Sequence, residues 1–360
     1  MLNKLFPIYF WSILLVRYIS LEFNIPIFNL LLLTSITLIV ISFFYFKSIS
    51  KSFLLVLIPI FSVFFIDYLF SGNFNFELLN DLLIYGVLPC YFFSFIEDYQ
   101  SFIHFFKLIG LLILILYFRE PFNDFYYTID YMVFGSLLLL PLGASMIYSP
   151  FKNKIINIAI LFVIFSLSLF SNRSTFLALF AYFIYQNYNF TLKSTIVYFT
   201  LFSIIYKNIF LIIDYLLLKF AFVNVYALRS LSKLVENDSN FDASSNRFYI
   251  WEKAFELIEK NLLGIGYSNI ETKLGLYPHN IILDLTLSFG IVFSGIFYFL
   301  FFYRIKFLFS NQYIKNFLMF LFSNWVIFLM FSSRFTLNVF FWITIMVIFM
   351  DKKQFYKKTI

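Results

Sequence analysis

The chain has 360 residues, 62% of them hydrophobic and only 12% charged, and its mean hydropathy is +0.89. A soluble globular protein carries about 25% charged residues, so this composition excludes a water-soluble fold and implies an all-α polytopic membrane protein. The net charge of +7 does not point to nucleic acid, because the lysines sit in short clusters between apolar runs and in the C-terminal "DKKQFYKK", where charges set membrane topology.

Apolar runs recur along the chain, each about 17–25 residues and long enough to cross a hydrocarbon core of about 30 Å. We expect twelve spans, near 5–20, 25–46, 52–70, 80–96, 102–118, 130–149, 155–171, 174–187, 192–213, 281–303, 313–331 and 335–350. The first run is expected to stay as a membrane anchor. An even number of spans puts both termini on one side. The loops on that side carry Lys47 and Lys51, Lys152 and Lys154, Lys193, and Arg304, Lys306 and Lys315, joined by Lys4 and the tail lysines. The opposite loops carry Glu22, Glu77, Glu120, Asp124 and Asp130. By the positive-inside rule both termini are cytoplasmic. Glu97–Asp98 dissents, being acidic on the predicted inside.

Phe dominates the composition with 58 copies, and the aromatic abundance reads as mostly lipid-facing filler from an AT-rich coding sequence and not as a cofactor cage. The single cysteine, Cys90, excludes a disulfide framework.

The domain plan is spans 1–9 over 1–213, one long extracytoplasmic loop over 214–280, spans 10–12 over 281–350, and a basic tail at 351–360. The loop opens with "DYLLLKFAFVNVYALRSLSKL", which suits a helix lying along the interface. A polar turn follows. Then Phe248, Trp251, Phe255, Ile258 and Leu262 recur at helical spacing with Glu252, Glu256 and Glu259 opposite. This spacing predicts a helix over Arg247–Asn261, capped by Ser244 or Ser245 and ended by Gly264.

Four groups could carry chemistry. Arg173, in "LFSNRSTFLALF", lies between apolar runs; it is a functional arginine at membrane depth or one that snorkels from a span end. Arg247 opens the loop helix, where a cation opposes the macrodipole, and its fork suits phosphate oxygens. His279 is one of two histidines, set between Pro278 and Asn280; it is either a boundary residue or a base working near neutral pH. Asn280 can cap the next span or orient the imidazole, and Asp284 can orient His279, pair with an arginine or simply be polar. Arg334 adds positive charge on the same side. His104 reads as interfacial, and no metal-ligand motif such as H-E-x-x-H is present.

Together these pieces resemble the O-antigen ligase/polymerase family. The resembling features are Arg173-x3-Leu177, the loop segment "NRFYIWEKAFELIEKNLLGIGYSN" with Arg247, Trp251 and a Gly-x-Gly turn, and His279-Asn280 followed nine residues later by Gly290. The match covers 171–177 and 244–295. It implies an architecture like the membrane glycosyltransferases of the GT-C class, and an inverting, metal-independent glycosyl transfer without cofactor at the periplasmic face of the bacterial inner membrane. The donor is a glycan on undecaprenyl diphosphate, and the acceptor is another lipid-linked glycan or lipid A-core. In these terms His279 is the base, Arg173, Arg247 and Arg334 bind the diphosphate, and Asn280, Asp284 and Trp251 support them. The ligase pattern has Gly, Thr or Tyr three residues after the glycine; here stands Phe293, with Gly295 two residues late. That favours polymerase over ligase, with a chain-length regulator as a further partner. A lipid-linked oligosaccharide flippase is the rival of another class, though it should show repeated halves.

Overall fold

A computed structural model of the protein describes residues 2–23, 26–44, 50–118, 130–169, 171–187, 247–331 and 334–350. The predicted ninth span, the amphipathic stretch at 214–234, the Ser244/Ser245 cap and the basic tail lie outside the described residues. Every regular element among those described is helical.

We number the helices α1 (Leu2–Phe23), α2 (Ile27–Phe44), α3 (Lys51–Ser71), α4 (Phe76–Ser94), α5 (Tyr99–Tyr117), α6 (Tyr131–Tyr148), α7 (Lys154–Leu169), α8 (Arg173–Asn187), α9 (Arg247–Lys260), α10 (Ser268–Leu274), α11 (Ile281–Leu308), α12 (Gln312–Met330) and α13 (Val339–Ile348). Among the described residues seven helices, α1, α3, α4, α5, α6, α11 and α12, are long and apolar enough to cross a membrane. Shorter apolar helices stand at three further predicted spans, Leu33–Ser42, Lys154–Ser168 and Val339–Ile348. The chain is thus an all-α polytopic membrane protein.

The described helices fall into two compact units, one of residues 1–109 and 246–360 and one of 110–245. In the first, α13 is the central element. It is buried on all sides, as expected for a helix that is apolar all round, and packs against α3, α4, α11 and α12. Beside it the aromatic content departs from expectation. Many rings do face outward, among them Phe61, Phe65, Phe299 and Phe302. But Phe6, Phe10, Trp11, Phe93, Phe102, Phe106 and Phe340 are buried and interlock, with centroids 4.8 Å apart for Trp11–Phe106 and 5.3 Å for Phe10–Phe340. Without a hydrophobic drive between helices in lipid, association depends on contact packing, and flat rings supply much contact area. The Trp11 indole donates to the Phe106 carbonyl at 2.9 Å.

The dissenting acidic pair has a local reason. Asp98 caps α5, accepting from the Gln100 and Ser101 amides at 2.9 and 3.2 Å, and a carboxylate at a helix start is favoured by the dipole. Asn3 accepts from the Glu97 and Asp98 amides. His104 is exposed on α5.

In the second unit α6, α7 and α8 pack together. Gly143 permits the approach, since a Cβ there would meet Leu179 at 2.7 Å. Residues Phe134–Leu139 of α6 form a π-turn.

Candidate functional site

The site is built on a break in α11. Gly290 interrupts this helix with φ 79° and ψ 168°, a region only glycine occupies easily. A break leaves backbone groups without helical partners, and the segment after α9 supplies them. Ile265 N–H donates to the Leu287 carbonyl at 2.7 Å, Gly266 N–H to the Ser288 carbonyl at 3.3 Å, and Ile291 N–H to the Leu262 carbonyl at 2.9 Å. The approach is too close for side chains. A Cβ on Gly290 would lie 2.3 Å from the Leu263 carbonyl carbon, and one on Gly264 2.5 Å from the Gly290 nitrogen. The Gly-x-Gly turn and the distant Gly290 are therefore two halves of one joint.

A buried carboxylate locks this joint to α3. Asp67, near the C-terminal end of α3, accepts from the Ser268 amide at 2.7 Å and its hydroxyl at 2.6 Å, while Asn75 donates to the same hydroxyl at 2.6 Å. Gly266 leaves room, because a Cβ there would meet Phe70 at 2.9 Å and Asp67 at 3.3 Å. The Tyr267 hydroxyl bonds Thr336 at 2.8 Å. Sequence reasoning missed Asp67, although an ionisable residue within the apolar run "FFIDYLF" is the kind of signal that marks a functional or structural partner.

The helix predicted at Arg247–Asn261 is α9, but its buried face is not the predicted stripe. Ile250, Ala254 and Ile258 are buried and Trp251 is half-buried, whereas Phe248, Phe255 and Leu262 are exposed. The helix is apolar on more than one side, and the surface of α11 against which it packs selects the narrower face. Trp251 sits at the edge of that face, and its indole donates to the Pro278 carbonyl at 2.8 Å.

That bond fixes the peptide before His279. His279 adopts φ +47°, the only positive φ among described non-glycine residues. A left-handed histidine is uncommon and costs roughly 1–3 kcal/mol, so the surroundings must hold it there. Asn280 follows in extended conformation and caps α11, accepting from the Ile282 and Leu283 amides at 3.0 and 3.4 Å. Its side chain serves as the cap. On the other flank the buried Tyr277 ring meets the imidazole edge-on at 5.6 Å.

The charges converge on the same turn. Burial, then Arg247, then Arg334 push the His279 pKa below its ordinary value, with Glu271 opposing. The imidazole is thus kept neutral where an isolated histidine would begin to charge. Arg334 pairs with Glu271, lies over the Tyr277 ring at 4.7 Å from its centroid, and is within electrostatic range of Asp81 and Asp284. Its charge is partly spent on these neighbours. Arg247 is half-buried at the start of α9, and burial lowers its pKa. Asp284 is fully buried beneath Tyr277, and the charges that act on His279 come from Arg247, Arg334 and Glu271 instead.

The first unit therefore brings together Arg247, Trp251, His279, Asn280, Asp284 and Arg334. Arg173 belongs to the second unit and opens α8; its side chain lies outside the described residues. Next to it, Asn172 caps α8 by accepting from the Thr175 amide at 3.0 Å and also from its hydroxyl. Gly135 in the π-turn makes room for this polar group, since a Cβ there would meet Thr175 Oγ1 at 2.6 Å. Among the described residues no three His, Cys, Asp or Glu side chains group as metal ligands would.

Comparison with family models, with curated proteins and with solved structures finds no match to this chain. The class that the fold and site define is a polytopic all-α membrane protein with one apolar helix broken at Gly290. Just before the start of that helix stands a left-handed histidine on which two arginines act electrostatically.

Proposed function

We propose that this protein is a membrane-embedded glycosyltransferase of the O-antigen ligase/polymerase kind, acting as a polysaccharide polymerase. It joins an undecaprenyl-diphosphate-linked glycan to an acceptor sugar hydroxyl at the periplasmic face of a bacterial inner membrane, in a chain of about twelve spans of GT-C-like architecture with both termini cytoplasmic. The observation that carries the reading is His279, held in a left-handed conformation with Arg247 and Arg334 acting on it electrostatically. Backbone strain concentrates where geometry serves chemistry.

In this reading neutral His279 takes the proton of the acceptor hydroxyl as its oxygen attacks the anomeric carbon. The bond from that carbon to the diphosphate oxygen breaks, and the diphosphate leaves with the electron pair. A positioned base contributes roughly 10²–10⁴-fold to such a step. Arg247 stabilises charge developing on the leaving group, an effect that grows where water is excluded. Arg334, already engaged by Glu271, holds the turn and adds to the field that keeps His279 neutral.

The test is reconstitution with a purified lipid-linked repeat unit. The reading fails if His279→Ala and Arg247→Ala both leave chain elongation intact. In cells, loss of long chains with a single repeat still attached to core supports polymerase, whereas undecaprenyl-linked polymer accumulating beside bare core identifies the ligase reaction with lipid A-core as acceptor. A flippase would move the lipid-linked glycan across the vesicle without forming a glycosidic bond.

A further inference from the structure

Seven buried polar side-chain atoms among the described residues have no hydrogen-bond partner, and five of them fall between Tyr277 and Ser288. They are Tyr277 Oη, His279 Nδ1, both carboxyl oxygens of Asp284 and Ser288 Oγ. Buried polar groups in native proteins are almost always satisfied, so a concentration of exceptions calls for a guest. These groups are neighbours. Asp284 and Ser288 lie one turn apart on the same face of α11, Tyr277 faces Asp284, and the Tyr277 ring touches His279. Asp284 is 0% exposed and Ser288 1%.

We propose that Tyr277, Asp284 and Ser288 form a built site for ordered water beneath His279, and that this water bonds His279 Nδ1. The chemistry selects the guest. None of Tyr277, Asp284 and Ser288 is cationic, so these side chains supply no charge to hold an anion. A metal cation would add positive charge where Arg247 and Arg334 already lie. Water donates twice and accepts twice, which matches acceptors on Asp284 and hydroxyls that do either, and a sealed polar site of this kind is where structural water is held. The consequence for catalysis rests on the reading of His279 as base: a water that accepts from Nδ1–H while donating to Asp284 keeps the ring proton on Nδ1 and leaves Nε2 as the proton acceptor.

The experiment is a high-resolution map of the full-length protein in lipid nanodiscs, with Tyr277→Phe and Ser288→Ala mapped alongside. Expected is a density feature about 2.6–3.2 Å from at least two of Tyr277 Oη, the Asp284 carboxyl and Ser288 Oγ, weakened in either variant. Direct bonding among these side chains with no feature between them overturns the proposal. So does a feature with the shorter contacts of a cation, about 2.3–2.6 Å, that responds to exchange of sodium for potassium. The map is read without any activity measurement. An inactive His279→Asn with no density sinks the water site and spares the catalytic reading; density with an active His279→Asn does the reverse.

Discussion

Around Phe106 the unit is packed and settled: rings interlock at 4.8–6.4 Å, and the indole buried among them donates to a carbonyl. Around His279 the same unit tolerates a left-handed histidine at the head of a broken helix. The first arrangement lowers free energy and the second raises it. A costly region survives only where its surroundings over-determine it, and here those surroundings are the Gly264–Gly290 joint, the Asp67 clasp and the Trp251 bond. The contrast teaches that settled packing and tolerated backbone strain are kept in separate regions of one unit.

Substituting in each region should therefore give different signatures. The largest effect is expected for His279→Asn, since asparagine accepts the left-handed backbone. Elongation should fall about 10²–10⁴-fold with the melting temperature unchanged; a loss below tenfold would contradict the assignment. Gly290→Ala should cost about 3–5 kcal/mol, combining backbone strain with overpacking, because its Cβ meets rigid backbone rather than a flexible side chain. Thermal unfolding in detergent reads this. Phe106→Ala should cost on the order of 3 kcal/mol through the cavity it leaves, yet the pH profile of the remaining activity should keep its shape.

A smaller effect tests the electrostatics. The folded His279 pKa lies below the ordinary value of about 6.5, so activity should persist as pH falls through 6.5 and decline only below it. Arg334→Gln removes a cation and frees Glu271, and both changes favour the imidazolium. The acid limb should then move toward higher pH, as measured from kcat/KM against pH; a shift toward lower pH would overturn the arrangement. The smallest effect belongs to Gly295→Ala. It lies within α11, and a Cβ added there would have no other side chain or backbone within 4 Å beyond its own helix. A gain of about 0.5–1 kcal/mol from helix propensity is expected, read from the same thermal unfolding.

Much of the helical plan was legible, because apolar run length is set by bilayer thickness and needs no partner to be read. The helix at α9 was legible from its period, and Asn280 as a cap from its place before an apolar run. The burial of α9 was not, since a helix apolar on two sides leaves the choice to its neighbour. The aromatic content misled in the same way, as composition does not distinguish a ring facing lipid from one facing another ring.

Sequence alone determined the class: too few charges for water and runs long enough for a bilayer. Only the tertiary structure joined Gly264 to Gly290, set Asp67 on Ser268, turned His279 left-handed and placed Arg247 and Arg334 where they depress its pKa. The reason is physical. Length and hydropathy are properties of a segment, whereas strain, close backbone approach and the field at an imidazole arise between segments far apart in the chain.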